Sequence, residues 1–532
     1  MFDVDIDKYL KALERGSYED VHKTAIGMIQ NNVRNPLPYF LLALVCVYHN
    51  NVNKALELFE KSLAYDGDNA YTLVYYAKTM SQLGNQKAAK KLLDKASRQN
   101  PQQPFLADMM GVIYSKTGFH EHAIAWFKTA VSLDSDRANF HYNLGASQQF
   151  LGHFDDAEVA YKKAINLSSG HYKALSSIVH LRKQASSDNL IDVLKVSFKE
   201  HSDDADARLH LGHALAKSYE DLGEYEESLN WLAAAKEKKR NKAATFEYTD
   251  IFQSVEQLAK TRDIKTVSKV PANEESPIFI VGLPRTGTTL VDRIISSHAD
   301  VKAAGELSVF GWLLKKNADT ASRFVLDKDT ISASDSLDMH EIGNNYIEAT
   351  RHLRQGVKRF TDKMPLNFFY ADLINRALPN ARIIVLRRHP MDSCLSNYRQ
   401  LLTAQHNYYE YTYDLQRIAN FYLAFDALVD TFSKSLPHNR FLQVSYEDLV
   451  LNQEEQTRRL LDFCELEWDD ACMRFHKNTD PVSTASSVQV RQPLYSKSIG
   501  RWKRYGNRLD ELFETLSQQL PLEVLDNTVK QS

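Results

Sequence analysis

The chain of 532 residues is poor in cysteine, has no long apolar run and carries almost no net charge. Its four cysteines, Cys46, Cys394, Cys464 and Cys472, are too few and too scattered for a disulfide scaffold, and none stands in a metal-binding spacing. The longest apolar stretch, Tyr39 to Tyr48 (YFLLALVCVY), is too short to span a bilayer. The opening segment, MFDVDIDKYLKALERG, is charged throughout and lacks the apolar core of a secretory signal, so a cytoplasmic location is expected. With 65 Lys and Arg against 68 Asp and Glu, the net charge of -3 excludes bulk attraction to nucleic acid or to an anionic membrane. An apolar content of 43% and a charged content of 25% exclude a disordered or fibrous chain. The length leaves room for about two to four domains.

What is present first is a repeat. The series Leu144-Gly145, Gly152, Ala157, Tyr161, Ala164 recurs 34 residues earlier as Met110-Gly111, Gly118, Ala123, Phe127, Ala130. Further steps give Tyr76-Ala77, Gly84, Ala89, Leu93, Ala96, and then Leu42-Ala43, Asn50, Ala55, Phe59, Ser62. Small residues let two helix backbones approach, large ones fill the gaps between them, and glycine suits the turn. The pattern resembles the tetratricopeptide (TPR) repeat of paired antiparallel helices. A degenerate unit follows near Tyr172–Ala205, and a sixth carries Ala216, Tyr219, Gly223, Tyr225, Leu232 and Ala235. A partial unit with Gly16, Tyr18 and Met28 starts the chain. Most of these residues are core; the array offers a concave groove for a protein segment or for a second copy of the chain.

Residues 236–242 (KEKKRNK) read as a solvated helix end, Phe246 to Leu258 as a helix, and Val270–Ser276 as a boundary. Beyond it the texture changes. Apolar runs of strand length (Pro277–Val281, Arg382–Leu386, Phe441–Val444) alternate with helical patterns at Thr288–Ser297, Leu366–Leu378, Met391–Thr403, Tyr411–Lys434 and Gln453–Cys464. Such alternation predicts an α/β domain with a parallel sheet covered on both faces. The expected organisation is therefore a TPR array over 1–241, a helical linker over 242–275 and the α/β domain over 276–520.

The first strand runs into Gly282-Leu283-Pro284-Arg285-Thr286-Gly287-Thr288-Thr289 and then a helix. A glycine loop that opens a helix turns backbone N–H groups and the helix dipole toward an anion. The Walker pattern is absent, since no Lys precedes the Thr pair, which argues against a P-loop kinase and its Mg²⁺.

PRTGTTL, together with the strand–Arg–helix–Ser segment RIIVLRRHPMDSCLS and the late IGRW stretch, resembles the sulfotransferases that use 3′-phosphoadenosine 5′-phosphosulfate (PAPS). The Arg in the loop, the His298–Val301 and Gly305-Glu306 segment, and Lys363-Met364-Pro365 are most similar to the protein-tyrosine branch. The resemblance implies residue roles. Arg285, Thr286, Gly287, Thr288 and Thr289 would hold the 5′-phosphosulfate, with Arg285 also stabilising transition-state charge. Glu306, 21 residues after Arg285 at the end of the second strand, would be the general base. Lys363 would neutralise the leaving phosphate oxygen, and Asp362 beside it would orient. Arg388 and Ser396, eight apart, would grip the 3′-phosphate. Tyr446 would lie near the adenosine, Ser486 (or Ser487) near the phosphosulfate, and Arg501 on the nucleotide phosphates, with Lys497 and Arg491 as rivals.

Arg387 either shares the phosphate or faces the other side of the sheet; Gln400, flanked by Arg399, stands where the family often has Arg. His298 reads as a helix-end structural residue and Trp502 as core. No metal is expected. The resemblance implies sulfuryl transfer to an acceptor hydroxyl, best a protein tyrosine, with the TPR groove binding the acceptor protein and a homodimer as the other use of the array. A carbohydrate, lipid or small-alcohol acceptor stays open, as does a TPR scaffold whose sulfotransferase-like domain is inactive or only binds nucleotide. The stretch Lys315–Met339 is a candidate acceptor loop or lid.

Overall fold

A computed structural model of the chain describes residues 6–83, 85–242, 248–261, 275–322, 324–354, 356–402, 408–478, 480 and 489–526. They divide into two compact units, Met1–His171 and Tyr172–Ser532.

The first unit is helical. After Asp7–Glu14 and Tyr18–Asn31 come four helix pairs: Pro36–Tyr48 with Val52–Tyr65, Ala70–Gln82 with Gln86–Ser97, Pro104–Lys116 with His120–Leu133, and Ala138–Leu151 with Phe154–Leu167. Each pair coincides with one 34-residue register. Gly118 and Gly152 take the left-handed turn conformation (φ 85° and 84°), and Asn50 takes it where the first register has no glycine (φ 57°). Asn51, Asn69 and Asn85 cap the helices that follow by accepting backbone N–H bonds. The need for small residues is steric: a Cβ on Gly145 would stand 2.8 Å from the Tyr161 ring. Gly145→Val is therefore expected to cost about 1–3 kcal/mol through overpacking. Denaturant unfolding followed by circular dichroism checks this, and an unchanged midpoint would refute the packing account.

The second unit opens with four more helices, Tyr172–Leu181, Ile191–Glu200, Ala205–Leu222 and Tyr225–Lys242, and continues through Tyr248–Thr261 into the sheet. The basic run at 236–242 is not wholly solvated. Lys236 is fully buried, donates to the Thr412 carbonyl at 2.7 Å, and lies 4.6 Å from the centre of the Tyr398 ring and 5.9 Å from that of Tyr413. Burial holds its ammonium well below the usual lysine range. Tyr248 and Phe252 join an aromatic cluster with Phe369 and Phe421.

Five parallel strands form the sheet: β1 (Ser276–Gly282), β2 (Val301–Ala303), β3 (Arg359–Asp362), β4 (Arg382–Arg387) and β5 (Phe441–Ser445). Their order is β2-β3-β1-β4-β5, so the chain reverses its direction of travel across the sheet at β1. Both faces are covered. Phe279 and Val281 enter one apolar core with Phe360, Ile383 and Val385, while Ile278 and Ile280 enter another with Ile384 and Leu386. That two-sided burial is why β1 and β4 read as continuous apolar runs. β3, four residues long, carries too short a pattern to be predicted.

Several expected helices are shorter or tighter. Leu366–Leu378 is a 3₁₀ turn over Pro365–Tyr370 followed by a helix over Ala371–Ala377. The helix expected over Met391–Thr403 spans Pro390–Arg399, and Thr403 lies outside the described residues. The helix expected from Tyr411 begins at Leu415, where Asp414 caps it by accepting from the Arg417 N–H at 3.1 Å. Within Lys315–Met339 the chain forms a short helix, Lys328–Ala333, with Leu326 and Ile331 buried. The Tyr408 hydroxyl accepts from the Val325 and Leu326 N–H groups at 2.8 and 3.1 Å, so this stretch is anchored into the unit.

Candidate active site

In an open parallel sheet, ligands bind outside the carboxyl ends of the strands, where the strand order reverses. Here that edge collects the ends of β1, β3, β4 and β5.

The loop after β1 holds a left-handed backbone at Gly282 (φ 143°), Arg285 (φ 67°) and Gly287 (φ 105°). A Cβ at Gly287 would stand 2.6 Å from the Tyr446 ring, so the glycine is required for close approach as well as for its φ. Thr286 Oγ1 donates to the Leu283 carbonyl at 2.7 Å and tightens the turn. Thr288 and Thr289 follow, buried, in the first turn of helix Thr288–Ser296, where a helix N-terminus directs its backbone N–H groups outward. Among the loop residues, then, Thr286 serves the turn itself, while Gly287, Thr288 and Thr289 form the cradle.

Arg388, at the end of β4, ties the site together. Its guanidinium donates to the Arg285 carbonyl at 3.0 Å, to Ser396 Oγ at 3.2 Å and to the Ser498 carbonyl at 2.5 Å. It also packs on the Tyr446 ring, 4.7 Å from its centre. Tyr446 in turn shares a 2.6 Å hydrogen bond with Ser498 Oγ. The Nε groups of Arg388 and of Arg501 are buried and have no hydrogen-bond partner among the described residues. Arg285 donates to Gln489 Oε1 at 2.7 Å. Burial, and then the charges of Arg388 and Arg501, push its guanidinium down to about 10, so it stays cationic at neutral pH. Clustered guanidiniums around a glycine cradle, with two buried N–H groups lacking partners, fit a polyanionic nucleotide.

The second group lies across β3. Lys363 pairs with Glu306; the lysine side chain is 2% exposed and the glutamate 39%. Lys363 N–H also donates to the Gly305 carbonyl at 2.9 Å. Asp362 is fully buried and accepts from Tyr346 Oη at 2.8 Å and, longer at 3.4 Å, from the Leu307 N–H. Burial raises its carboxyl from 3.8 to about 7. A carboxyl raised in the folded state contributes stability that is complete below about pH 4 and is lost as pH climbs to about 7. Asp362→Asn should therefore flatten the dependence of melting temperature on pH across that window relative to the parent. Parallel curves for the two proteins would overturn the assignment.

The structure thus brings Arg285, Arg388, Ser396 and Tyr446 together, and places Glu306 against Lys363. Arg387 points elsewhere, to Asp426 and Asp430 on helix Leu415–Ser435. His298 bonds the Glu467 carbonyl and accepts from the Asp300 N–H, a structural role. Trp502 stacks on His389. Ser486, with Ser487, lies outside the described residues.

Three residues escaped the sequence reading. Asp392 accepts from the N–H groups of Gly500 and Trp502 at 2.6 and 3.0 Å and so pins the IGRW segment beside Arg388. Its signal was a position four residues after Arg388, in the first turn of the helix Pro390–Arg399 that carries Ser396. Ser498 links Arg388 and Tyr446, and nothing local marks it. Asp292 accepts from Thr361 Oγ1 at 2.5 Å; it sits buried on the cradle helix, where an apolar residue is the rule.

Residues 277–470 match the sulfotransferase family, and tetratricopeptide repeats match at 48–112, 111–152 and 138–171. The chain carries a sulfotransferase domain after TPR repeats. Within that class it is distantly homologous to protein-tyrosine sulfotransferases. It is 25% identical over 257 residues to the Drosophila melanogaster protein-tyrosine sulfotransferase, covering 43% of this chain and 48% of that protein. The Caenorhabditis elegans protein-tyrosine sulfotransferase A is 25% identical over 245 residues (43% and 62%). An uncharacterized protein of Aquifex aeolicus (strain VF5) is 26% identical over 396 residues, 72% of this chain and 51% of that protein. The chain spans about half the length of the first curated relatives it matches. Among solved structures, the sulfotransferase domain of the Synechococcus PCC 7002 olefin synthase aligns with a TM-score of 0.33 and 18% identity, over 48% of this chain and all of that one. No helix among the described residues is long and apolar enough to cross a membrane.

Proposed function

We propose that this chain transfers the sulfuryl group of PAPS to an acceptor hydroxyl, that the acceptor is a protein tyrosine, and that the repeat array binds the acceptor protein. The observation that supports this most is the adjacency of two sets of residues on one sheet edge. Arg285, Arg388, Ser396 and Tyr446 surround the glycine cradle, and the Glu306–Lys363 pair stands across β3.

In this reading Arg388 and Ser396 hold the 3′-phosphate, and the cradle at 287–289, in a turn tightened by Thr286, holds the 5′-phosphosulfate. PAPS supplies the electrophilic sulfur. The acceptor oxygen forms the new S–O bond as the S–O bond to phosphate breaks. Glu306 takes the proton from the acceptor hydroxyl, a role suited to the more exposed member of the pair. Lys363, almost fully buried, meets the charge that develops on the departing phosphate oxygen, and Arg285 meets the charge on the sulfuryl oxygens. The tyrosine acceptor is supported by the protein-tyrosine sulfotransferase relatives. The role of the array is supported by the protein-binding habit of such repeats.

Incubation with radiolabelled PAPS and a tyrosine-containing peptide tests this, with label expected in the peptide. Label only in a carbohydrate or small-alcohol acceptor would replace the tyrosine assignment. Absence of transfer to a full acceptor panel, in a chain that still binds adenosine 3′,5′-bisphosphate, would leave a nucleotide-binding scaffold instead.

A further inference from the structure

Helix Ala205–Leu222, which the sequence assigns to the repeats, contributes a carboxylate to the surroundings of the anion site. Glu220 pairs closely with Arg399, and its Oε1 lies 3.7 Å from Arg501 Nη1. Its side chain is only 10% exposed. Helix Ala205–Leu222 is fastened to the same place a second way, by His213 Nδ1 at 3.2 Å from the Arg399 carbonyl.

These two arginines belong to the neighbourhood of the cradle. Arg399 ends the helix that carries Ser396. Arg501 stands between Gly500 and Trp502, whose N–H groups are fixed by Asp392, and its charge acts on Arg285. Four guanidiniums, Arg285, Arg388, Arg399 and Arg501, thus face three carboxylates, of which Glu447 acts on Arg388 and accepts from the His389 N–H at 3.1 Å. Asp392 is committed to backbone N–H groups, and Arg388 reaches it only at 3.9 Å. Glu220 is the only carboxylate within ion-pair distance of Arg399 or Arg501 among the described residues.

We propose that Glu220 is a resident counter-anion that occupies Arg399 and Arg501 when no nucleotide is bound and gives up Arg501 to a nucleotide phosphate, so that it determines which anions the site accepts. Its contact with Arg399 is close, whereas that with Arg501 is loose. A bisphosphate that engages Arg388 and Arg501 together outcompetes a loose single contact, and an anion without that second anchored phosphate does not. Glu220 is in this sense a positioning and specificity residue, not a catalytic one. The inference rests on the nucleotide reading above.

Calorimetric titration of the full chain with adenosine 3′,5′-bisphosphate, ATP and inorganic phosphate tests it. Glu220→Gln should bind the bisphosphate about tenfold tighter at low salt, with affinity falling more steeply as salt rises. It should also acquire affinity for ATP and inorganic phosphate. Glu220→Asp, which keeps the charge, should stay close to the parent. Arg399→Gln should move the other way, because Glu220 would then fall wholly to Arg501; a merely loosened structure would weaken binding in both variants. If Glu220→Gln does not fold, the same change in the Arg399→Gln background, where the charges balance, must still tighten binding over Arg399→Gln alone. Unchanged or weaker binding in the folded variant overturns the proposal. A parent chain that binds no bisphosphate overturns the nucleotide reading itself, a result distinct from a parent that binds and a variant that does not differ.

Discussion

Glu306→Gln is expected to slow sulfuryl transfer by about 10²- to 10⁴-fold, the usual contribution of a positioned proton acceptor. Glutamine keeps the shape and one hydrogen-bond acceptor toward Lys363, so the buried ammonium is not left bare; alanine would remove both and confuse chemistry with folding. The loss should fall on kcat and kcat/KM alike, since the proton moves only as the acceptor oxygen attacks. Binding of adenosine 3′,5′-bisphosphate should stay within about twofold of the parent, because Glu306 pairs with Lys363 and the hydrogen bonds of Arg388 run to Arg285, Ser396 and Ser498 instead. A Glu306→Gln chain with full transfer activity would show that another group takes the proton.

Arg388→Ala is expected to have the larger effect on the nucleotide. Two charge-assisted hydrogen bonds to a phosphate are worth about 3–6 kcal/mol together, or about 10²- to 10⁴-fold in affinity. The same residue braces the Arg285 and Ser498 carbonyls and stacks on Tyr446, so the melting temperature should fall as well. The discriminating comparison is between ligands with and without a 3′-phosphate. Affinity for adenosine 3′,5′-bisphosphate should collapse, while the much weaker affinity for adenosine 5′-phosphosulfate should barely change. Equal losses for both would mean that Arg388 shapes the loop and does not read the 3′-phosphate. Lysine should fail to rescue, since a point charge cannot span Ser396, Ser498 and the Arg285 carbonyl at once.

Much of the molecule was legible because its signals are local. The 34-residue register of small residues marked every helix pair of the first unit, since close helix approach at Gly145 or Gly111 leaves no choice of side chain. The glycine loop, the strand before it and the helix after it are contiguous, so the cradle could be read directly. Arg388 and Ser396 were suggested by the family resemblance, and the folded chain brings them within one hydrogen bond, 3.2 Å apart. The local signals failed where a segment is short or where a charged side chain is buried. β3 offers four residues and no period, and Lys236 looked like the head of a solvated basic run yet is buried among Tyr398, Tyr413 and the Thr412 carbonyl.

The sequence by itself determined the repeat, the parallel-sheet class and the residues of the cradle, because backbone conformation, helix spacing and apolar periodicity are properties of neighbours in the chain. Only the tertiary structure decided how charge is balanced around that cradle. Glu220 meets Arg399 across 179 positions, Asp392 fixes Gly500 across 108, and Lys363 finds Glu306 across 57. Such pairs depend on which charges are taken out of water together, and burial is fixed by the packed fold, not by the order of residues along the chain.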